Sequence, residues 1–586
     1  MDTMKSFKGY GKVDEAEERA FRQRTRRRLL ILAVSAVLLL AVVAAAVAGT
    51  VIYRRNRSGG GDGPAAPSSE LTPSASLKAV CSVTQYPDSC FSSISAAETA
   101  NATDPEQLFK LSLAVAMGEL QKLPSYAARL ASKVNAGDAR AKAALDVCSG
   151  VFEDAIDRLN DSISSLAAGA GDKILSSSKI NDMKTWLSAT ITDQETCLDS
   201  LQEINSTLID DVRAAMENST EFVSNSLAIV TRIISLLADF KIPIHRKLLA
   251  SSSSPSSEFP SWLGAAERRL LQEGSEVLPQ LTVAQDGSGD YKTIQEAVDA
   301  VPKKNETRFV IKVKAGTYNE TVVLDKNKWN VMMIGDGMTK TIVTGSKNFV
   351  DGTPTFSTAT FAVAGKGFIA RDMTFVNSAG AAKHQAVAFR SGSDLSVIYR
   401  CAFDAYQDTL YAHSNRQFYR DCDVTGTIDF IFGNSAVVFQ NCNIQPRQPM
   451  DNQFNTITAQ GKKDPNQNTG ISIQKCSITA KGNVTAPTYL GRPWKDYSTT
   501  VIMQSTIDSL NPKGWIEWVS NVEPPRTIFY GEYQNRGTGA STDQRVTWAG
   551  YKPALTATEA GKFTVGSFIQ GSDWLPQTSV TFDAAL

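Results

Sequence analysis

Apolar and polar positions alternate in short bursts through the second half of the chain, and the bursts return at a near-constant interval. Gly367-Phe368-Ile369-Ala370-Arg371-Asp372-Met373-Thr374-Phe375 is matched by Leu395-Ser396-Val397-Ile398-Tyr399-Arg400-Cys401-Ala402-Phe403. Arg416-Gln417-Phe418-Tyr419-Arg420-Asp421-Cys422-Asp423-Val424 and Ala436-Val437-Val438-Phe439-Gln440-Asn441-Cys442-Asn443-Ile444 repeat the scheme. Ile471-Ser472-Ile473-Gln474-Lys475-Cys476-Ser477-Ile478 follows after a longer insertion. Each segment alternates β-branched or aromatic residues with others, takes a small polar step and ends on another apolar pair. Strands this short, at intervals of about twenty residues, predict a solenoid of stacked coils. Cys401, Cys422, Cys442 and Cys476 hold the same place in successive segments, which predicts an inward ladder of small hydrophobes. The spacing leaves open whether any two of them are bonded.

The first half has a different period. Leu108, Leu111, Ala114, Val115 and Leu120 recur at three- and four-residue steps, as do Ala144, Val147, Val151, Ala155, Ile156 and Leu159, and later Ile229, Ile233 and Leu237. This predicts an all-α, up-and-down four-helix bundle over residues 77–240. Cys81, Cys90, Cys148 and Cys197 fall within it, and we expect the bridges Cys81–Cys90 and Cys148–Cys197, although spacing alone allows three pairings.

Residues 29–53 carry no charge and follow Arg22, Arg24, Arg26, Arg27 and Arg28. An apolar run of this length predicts a transmembrane signal anchor with residues 1–28 as a cytosolic basic tail. Arg54, Arg55 and Arg57 weaken the charge asymmetry, and Ala46-Val47-Ala48 offers the alternative of a cleaved signal peptide. Residues 54–76, rich in Gly, Pro and Ser, read as a flexible spacer. Asn-x-Ser/Thr sequons from Asn101 to Asn483 agree with a lumenal address. Residues 241–276 form a linker in which Arg246-Lys247 and Arg268-Arg269 flank a Ser/Pro stretch, as expected of protease sites. Residues 277–586 make up the strand-rich part. The charge balance, 60 Lys+Arg against 60 Asp+Glu, gives no sign of nucleic-acid binding.

Asp408 and Asp429 stand one repeat apart, so coiling would stack their carboxyls on neighbouring strands, about 5 Å apart. Two carboxyls this close cannot both ionise readily, which suits an acid working beside a nucleophile. The chain has no Gly-x-Ser-x-Gly, and its only histidines are His245, His384 and His413. No Cys/His/Asp cluster has metal-ligand spacing, so no cofactor and no metal are expected.

Five stretches resemble plant pectin methylesterases in family order. They are Gly316-Thr317-Tyr318, Gln385-Ala386-Val387-Ala388, Tyr406-Gln407-Asp408-Thr409-Leu410-Tyr411, Gly426-Thr427-Ile428-Asp429-Phe430-Ile431-Phe432-Gly433 and Leu490-Gly491-Arg492-Pro493-Trp494. Cys81-Ser82-Val83-Thr84-Gln85-Tyr86-Pro87-Asp88-Ser89-Cys90 resembles the pectin methylesterase inhibitor domain. The resemblance implies a right-handed parallel β-helix that de-esterifies methylated homogalacturonan in the cell wall. It implies a precursor whose own inhibitor-like pro-domain is a partner, cut by a subtilisin-like processing protease to leave an extracellular monomer. By the same resemblance Asp429 is the nucleophile and Asp408 the proton donor, while Gln385 and Gln407 stabilise the oxyanion. Thr355, Gln385, Arg492, Trp494 and Trp515 would contact substrate, with Pro354 a departure from the family pattern beside Thr355. His384 and His413 are expected to be structural.

Overall fold

The computed structural model describes residues 72–97, 102–135, 137–167, 176–239, 278–508 and 510–586. The uncharged run 29–53 and the basic pairs Arg246-Lys247 and Arg268-Arg269 lie outside those residues. Among the described residues no helix is long and apolar enough to cross a membrane.

The amino-terminal part is helical: α1 (Pro73–Cys81), α2 (Pro87–Ser95), α3 (Pro105–Leu120), α4 (Leu123–Lys133), α5 (Ala139–Ala167), α6 (Ser177–Gln202) and α7 (Ile209–Asp239). Helix α1 starts inside the stretch expected to be spacer. Thr72 caps it by accepting the Ala75 N–H at 3.3 Å, and Pro73 opens its first turn, where a missing N–H costs nothing. Leu108, Phe109, Phe152, Leu187 and Val230 meet in one core. On α3 the buried stripe runs Leu108, Ser112, Leu113, Ala116 and Leu120, while Ala114, expected inside, faces solvent. Disulfides Cys81–Cys90 and Cys148–Cys197 clip α1 to α2 and α5 to α6.

From Leu281 the chain winds into three all-parallel sheets of 11, 8 and 7 strands, here the first, second and third sheets. One coil shows the plan. Ser396–Tyr399 lies in the first sheet, Ala402–Asp404 in the second and Leu410–Ala412 in the third, and Arg416–Arg420 then pairs beside the strand that opened the coil. Like residues stack inward: Tyr419 is opposite Ile398 on one side and Phe439 on the other. Phe361 and Phe389 stack at 5.6 Å in the same interior.

The small polar step of the repeat is the corner between the first and second sheets. Asp372, Arg400, Asp421, Asn441, Lys475, Gln504 and Gln534 sit there with positive φ, a conformation uncommon outside glycine. Side chains along this edge pair from coil to coil, as Asn441 Nδ2 does with Asp421 Oδ1 at 2.6 Å. Each of Cys401, Cys422, Cys442 and Cys476 comes directly after such a corner, and all four are buried free thiols. They form the inward ladder, with the Cys442 N–H donating to Cys476 Sγ at 3.3 Å.

The strand-rich part also holds helices that the period did not announce. Helix α8 (Ile294–Ala300) opens on a capping box, Thr293 with Glu296, and buries Ile294, Ala297 and Val298 in the core of the first coils. Near the carboxyl terminus, Ala557–Gly561, Val565–Phe568 and Gly571–Trp574 are short helices. Val565, Ile569 and Trp574 pack there on Val397, Phe418 and Val438, the outward residues of the first sheet.

Candidate active site

Asp408 and Asp429 each stand two residues before a strand of the third sheet, and Leu410 pairs with Ile431, so the two acids share a register on adjacent coils. Neighbouring strands are about 4.8 Å apart. Both residues are left-handed, with φ of 64° and 50°. Local bonds hold these corners. The Asp408 N–H donates to the Ile428 carbonyl at 3.0 Å, and the Asp429 N–H to Thr456 Oγ1 at 2.8 Å. Strained backbone of this kind persists only where the surroundings fix it.

The two carboxyls differ sharply in their partners. Arg492 grips Asp429 side-on, Nε to Oδ1 at 2.9 Å and Nη2 to Oδ2 at 2.6 Å, and the Thr456 hydroxyl donates to Oδ1 at 2.6 Å. The Asp408 carboxyl makes no hydrogen bond with a side chain or backbone group among the described residues. Burial, then the neighbouring charge of Asp429, pushes it well above the ordinary carboxylate range, against the pull of Arg492. Gln407, next to Asp408, forms a parallel bridge with Gln385 on the coil before, and their side-chain amides are unengaged by the described residues. Both glutamines, both aspartates and Arg492 line one cavity of about 250 Å³. Its floor is the outer face of the third sheet, where Tyr411 stacks on Phe432 at 4.1 Å.

Trp494 lines the cavity, as the sequence suggested for it, and stacks at 6.1 Å on Trp518, which the sequence reading missed. Trp515 requires correction. It is 0 % exposed in the interior against Tyr530, with its indole N–H donating to Glu532 Oε1 at 3.3 Å. Glu532 is itself paired with Arg545 at 2.9 Å, so the core supplies the indole with an acceptor and the ring has no access to the cleft. Thr355 reaches the cavity, but its N–H and hydroxyl both go to Glu203 of the helical part, at 3.0 and 2.6 Å. Of the histidines, His413 is buried, 2.8 Å from Thr196 Oγ1, and is pushed well below the ordinary imidazole range, mainly by burial. Among the described residues no group of His, Cys, Asp and Glu could hold a metal ion.

Helix α6 closes the cavity from outside. Thr196, Asp199 and Glu203, its C-cap, line it. Further along, Thr192 accepts from Asn434 at 2.9 Å, and the Ser188 carbonyl accepts from Gln467 at 2.9 Å. Asp182 pairs with Arg416 at 2.8 Å. The only sequence sign of this contact is a row of acids, Glu195, Asp199 and Glu203, at four-residue spacing.

Paired acids, an arginine clamp and idle amides in one cleft define the class: a coiled parallel-sheet enzyme joined to a helical domain that covers its site. Comparison with known proteins gives the family. Residues 280–572 match Pectinesterase, and residues 75–229 match Plant invertase/pectin methylesterase inhibitor. Pectinesterase 3 of Phaseolus vulgaris is 63 % identical, with 100 % of each chain covered, and Pectinesterase 1 of Arabidopsis thaliana is 61 % identical over 99 % of each. Among solved structures, the pectin methylesterase from carrot is 56 % identical, covers 54 % of this chain and 100 % of its own, and has a TM-score of 0.52. The chain belongs to the pectinesterase family.

Proposed function

We propose that this chain hydrolyses the methyl esters of homogalacturonan in the plant cell wall, with Asp429 as nucleophile and Asp408 as acid and then base. The observation that carries the reading is the contrast within one stacked pair: Asp429 oriented by Arg492 and Thr456, Asp408 unpaired and pushed toward its neutral form. An Asp429 oxygen attacks the ester carbonyl carbon, and the carbonyl oxygen becomes an oxyanion. The amides of Gln385 and Gln407 donate to that oxyanion. As the C–O bond to methoxide breaks, Asp408 gives up its proton and methanol leaves, with an anhydride on Asp429. Asp408, now a carboxylate, takes a proton from water. The hydroxide attacks the anhydride, freeing galacturonate and restoring both acids. Trp494 and Trp518 offer ring faces to the sugars.

In the same proposal the helical domain is an inhibitory pro-domain. Helix α6 stands over the dyad, so substrate cannot reach it until the linker is cut at Arg246-Lys247 or Arg268-Arg269 and the domain leaves. Methanol release from esterified pectin by a Gln272–Leu586 fragment, beside the intact chain, tests both statements. The fragment should turn over and the intact chain should be slower by at least about tenfold. Equal rates would remove the inhibitory role. Asp429→Asn in the fragment should lose turnover while keeping pectin binding, and near-normal methanol release by that variant would remove Asp429 from the nucleophile role. New reducing or unsaturated ends in place of methanol would replace the esterase reading with chain cleavage.

A further inference from the structure

Lys495 has no part in the chemistry above, yet it stands beside Trp494, which lines the cleft. Its ammonium lies 5.2 Å from the centre of the Trp494 ring. Its ion pairs are with α6 alone among the described residues: Asp199 at 2.5 Å and Glu195 at 3.5 Å. On the other side of the dyad, the two oxygens of Glu203 take the N–H and hydroxyl of Thr355. The order of strands in the third sheet fixes this geometry. Thr355 comes just before Phe361–Val363 and Lys495 just after Thr488–Gly491, and the dyad's strands Leu410–Ala412 and Ile431–Gly433 lie between them. The row Glu195, Asp199 and Glu203 therefore crosses the strands of the reacting pair, with Asp199 and Glu203 lining the cleft, and places carboxylates on both sides of it.

Residues at this spacing stack on one helix face, about 6 Å apart along the axis. Like charges there weaken a helix, so the row has no local justification within the bundle. Its partners are Lys495 and Thr355, both on the coils. A galacturonan whose esters have been partly removed is also a linear array of carboxylates, interrupted by neutral esters.

We propose that the α6 row occupies the places of the substrate's free carboxylates, and that Lys495 is a substrate-binding residue for one of them. The inference rests on the esterase reading above. With the bundle gone, Lys495 loses both of its counter-ions in the cleft, and a de-esterified sugar unit supplies a replacement where a methyl ester cannot. A lysine suits the task because its ammonium is a point charge with three donors on a flexible stem. Thr355 offers a second carboxylate the same pair of donors that Glu203 now uses.

The test compares Lys495→Gln and Lys495→Arg with the unaltered Gln272–Leu586 fragment, whose core from Val283 to Tyr551 contains no bundle residue. Initial rates are read on a partly de-esterified and a fully methyl-esterified galacturonan of equal length. The unaltered fragment should favour the partly de-esterified substrate in kcat/KM. Lys495→Gln should reduce that preference about tenfold, chiefly through KM, and Lys495→Arg should restore most of it. Calorimetric binding of a fully de-esterified oligogalacturonate should weaken about tenfold in Lys495→Gln. That measurement needs no turnover, so it still reads the site if the esterase reading fails for want of methanol. Unchanged preference and unchanged oligogalacturonate binding would overturn the proposal. So would an equal loss on both substrates without rescue by arginine, which would make Lys495 a purely structural residue.

Discussion

Asp408 and Asp429 are the same residue type at the same corner of adjacent coils, 7 % and 5 % exposed, and their chemistry diverges only through neighbours. Thr456 and Arg492 come from later coils and converge on one carboxyl. No donor from the described residues reaches the other, so burial and the charge beside it govern its proton. In the proposed mechanism the amides of Gln385 and Gln407 act only on the developing oxyanion, and such donors affect kcat more than KM. Gln385→Leu and Gln407→Leu should each lower kcat for methanol release by about 10²–10³ with little change in KM. Both acids and Arg492 were legible because the period of the strands gives the stacking of Asp408 on Asp429 and the family motif gives the arginine. Trp515 was misread because nothing near it in sequence announces Glu532, the buried acceptor that draws its indole inward. Trp518 and Thr456 were missed for the same reason: each matters through a partner contributed by a distant coil.

Among the elements, the coil depends on two stacked columns, the left-handed polar corner and the aromatic filling behind it. Phe389 packs between Phe361 at 5.6 Å and Phe403 at 5.3 Å, with Phe375 at 4.8 Å. Phe389→Ala removes a ring shared by adjacent coils and should cost about 3–5 kcal/mol, read as a lower denaturant midpoint for the Gln272–Leu586 fragment. The strands were readable because corner, cysteine and apolar pair recur together. Helix α8 was not legible, although Thr293 and Glu296 carry the capping-box signature, because its 7 residues are too few to show a helical period beside strands of two-residue period. On α3 the stripe through Ala114 follows steps that drift off the buried face, and packing, chiefly against α7, sets which face that is.

In the whole molecule, the grip of the bundle on the coils depends on protons. Burial pushes Glu203 up to about 7, against the lowering effect of the Thr355 hydroxyl and N–H. Burial also raises Asp182, Asp193 and Asp199, in each case despite nearby cations. A glutamate freed into solvent titrates near about 4.3. Between that value and about 7 the docked form keeps a proton that the released form has lost, so docking is strongest in acid and weakens as pH rises through about 7. His413, held neutral by burial, works the other way once pH falls below the free imidazole value of about 6.5, but it is one group against the four raised acids. Chains cut in the linker and passed over a sizing column should therefore release more bundle at about pH 8 than at about pH 5, and Glu203→Gln should flatten that difference. The reverse trend would contradict the assignment. None of this was legible beforehand, since Asp182, Asp199 and Glu203 meet Arg416, Lys495 and Thr355 only on coils more than a hundred residues away. Helix α8 has a consequence for company as well as for folding. A stack of rungs can in principle be lengthened by a stranger, and the greasy bore is what a newcomer would add to. With Ile294, Ala297 and Val298 stoppering that bore, the molecule denies fibril growth a foothold at its leading end.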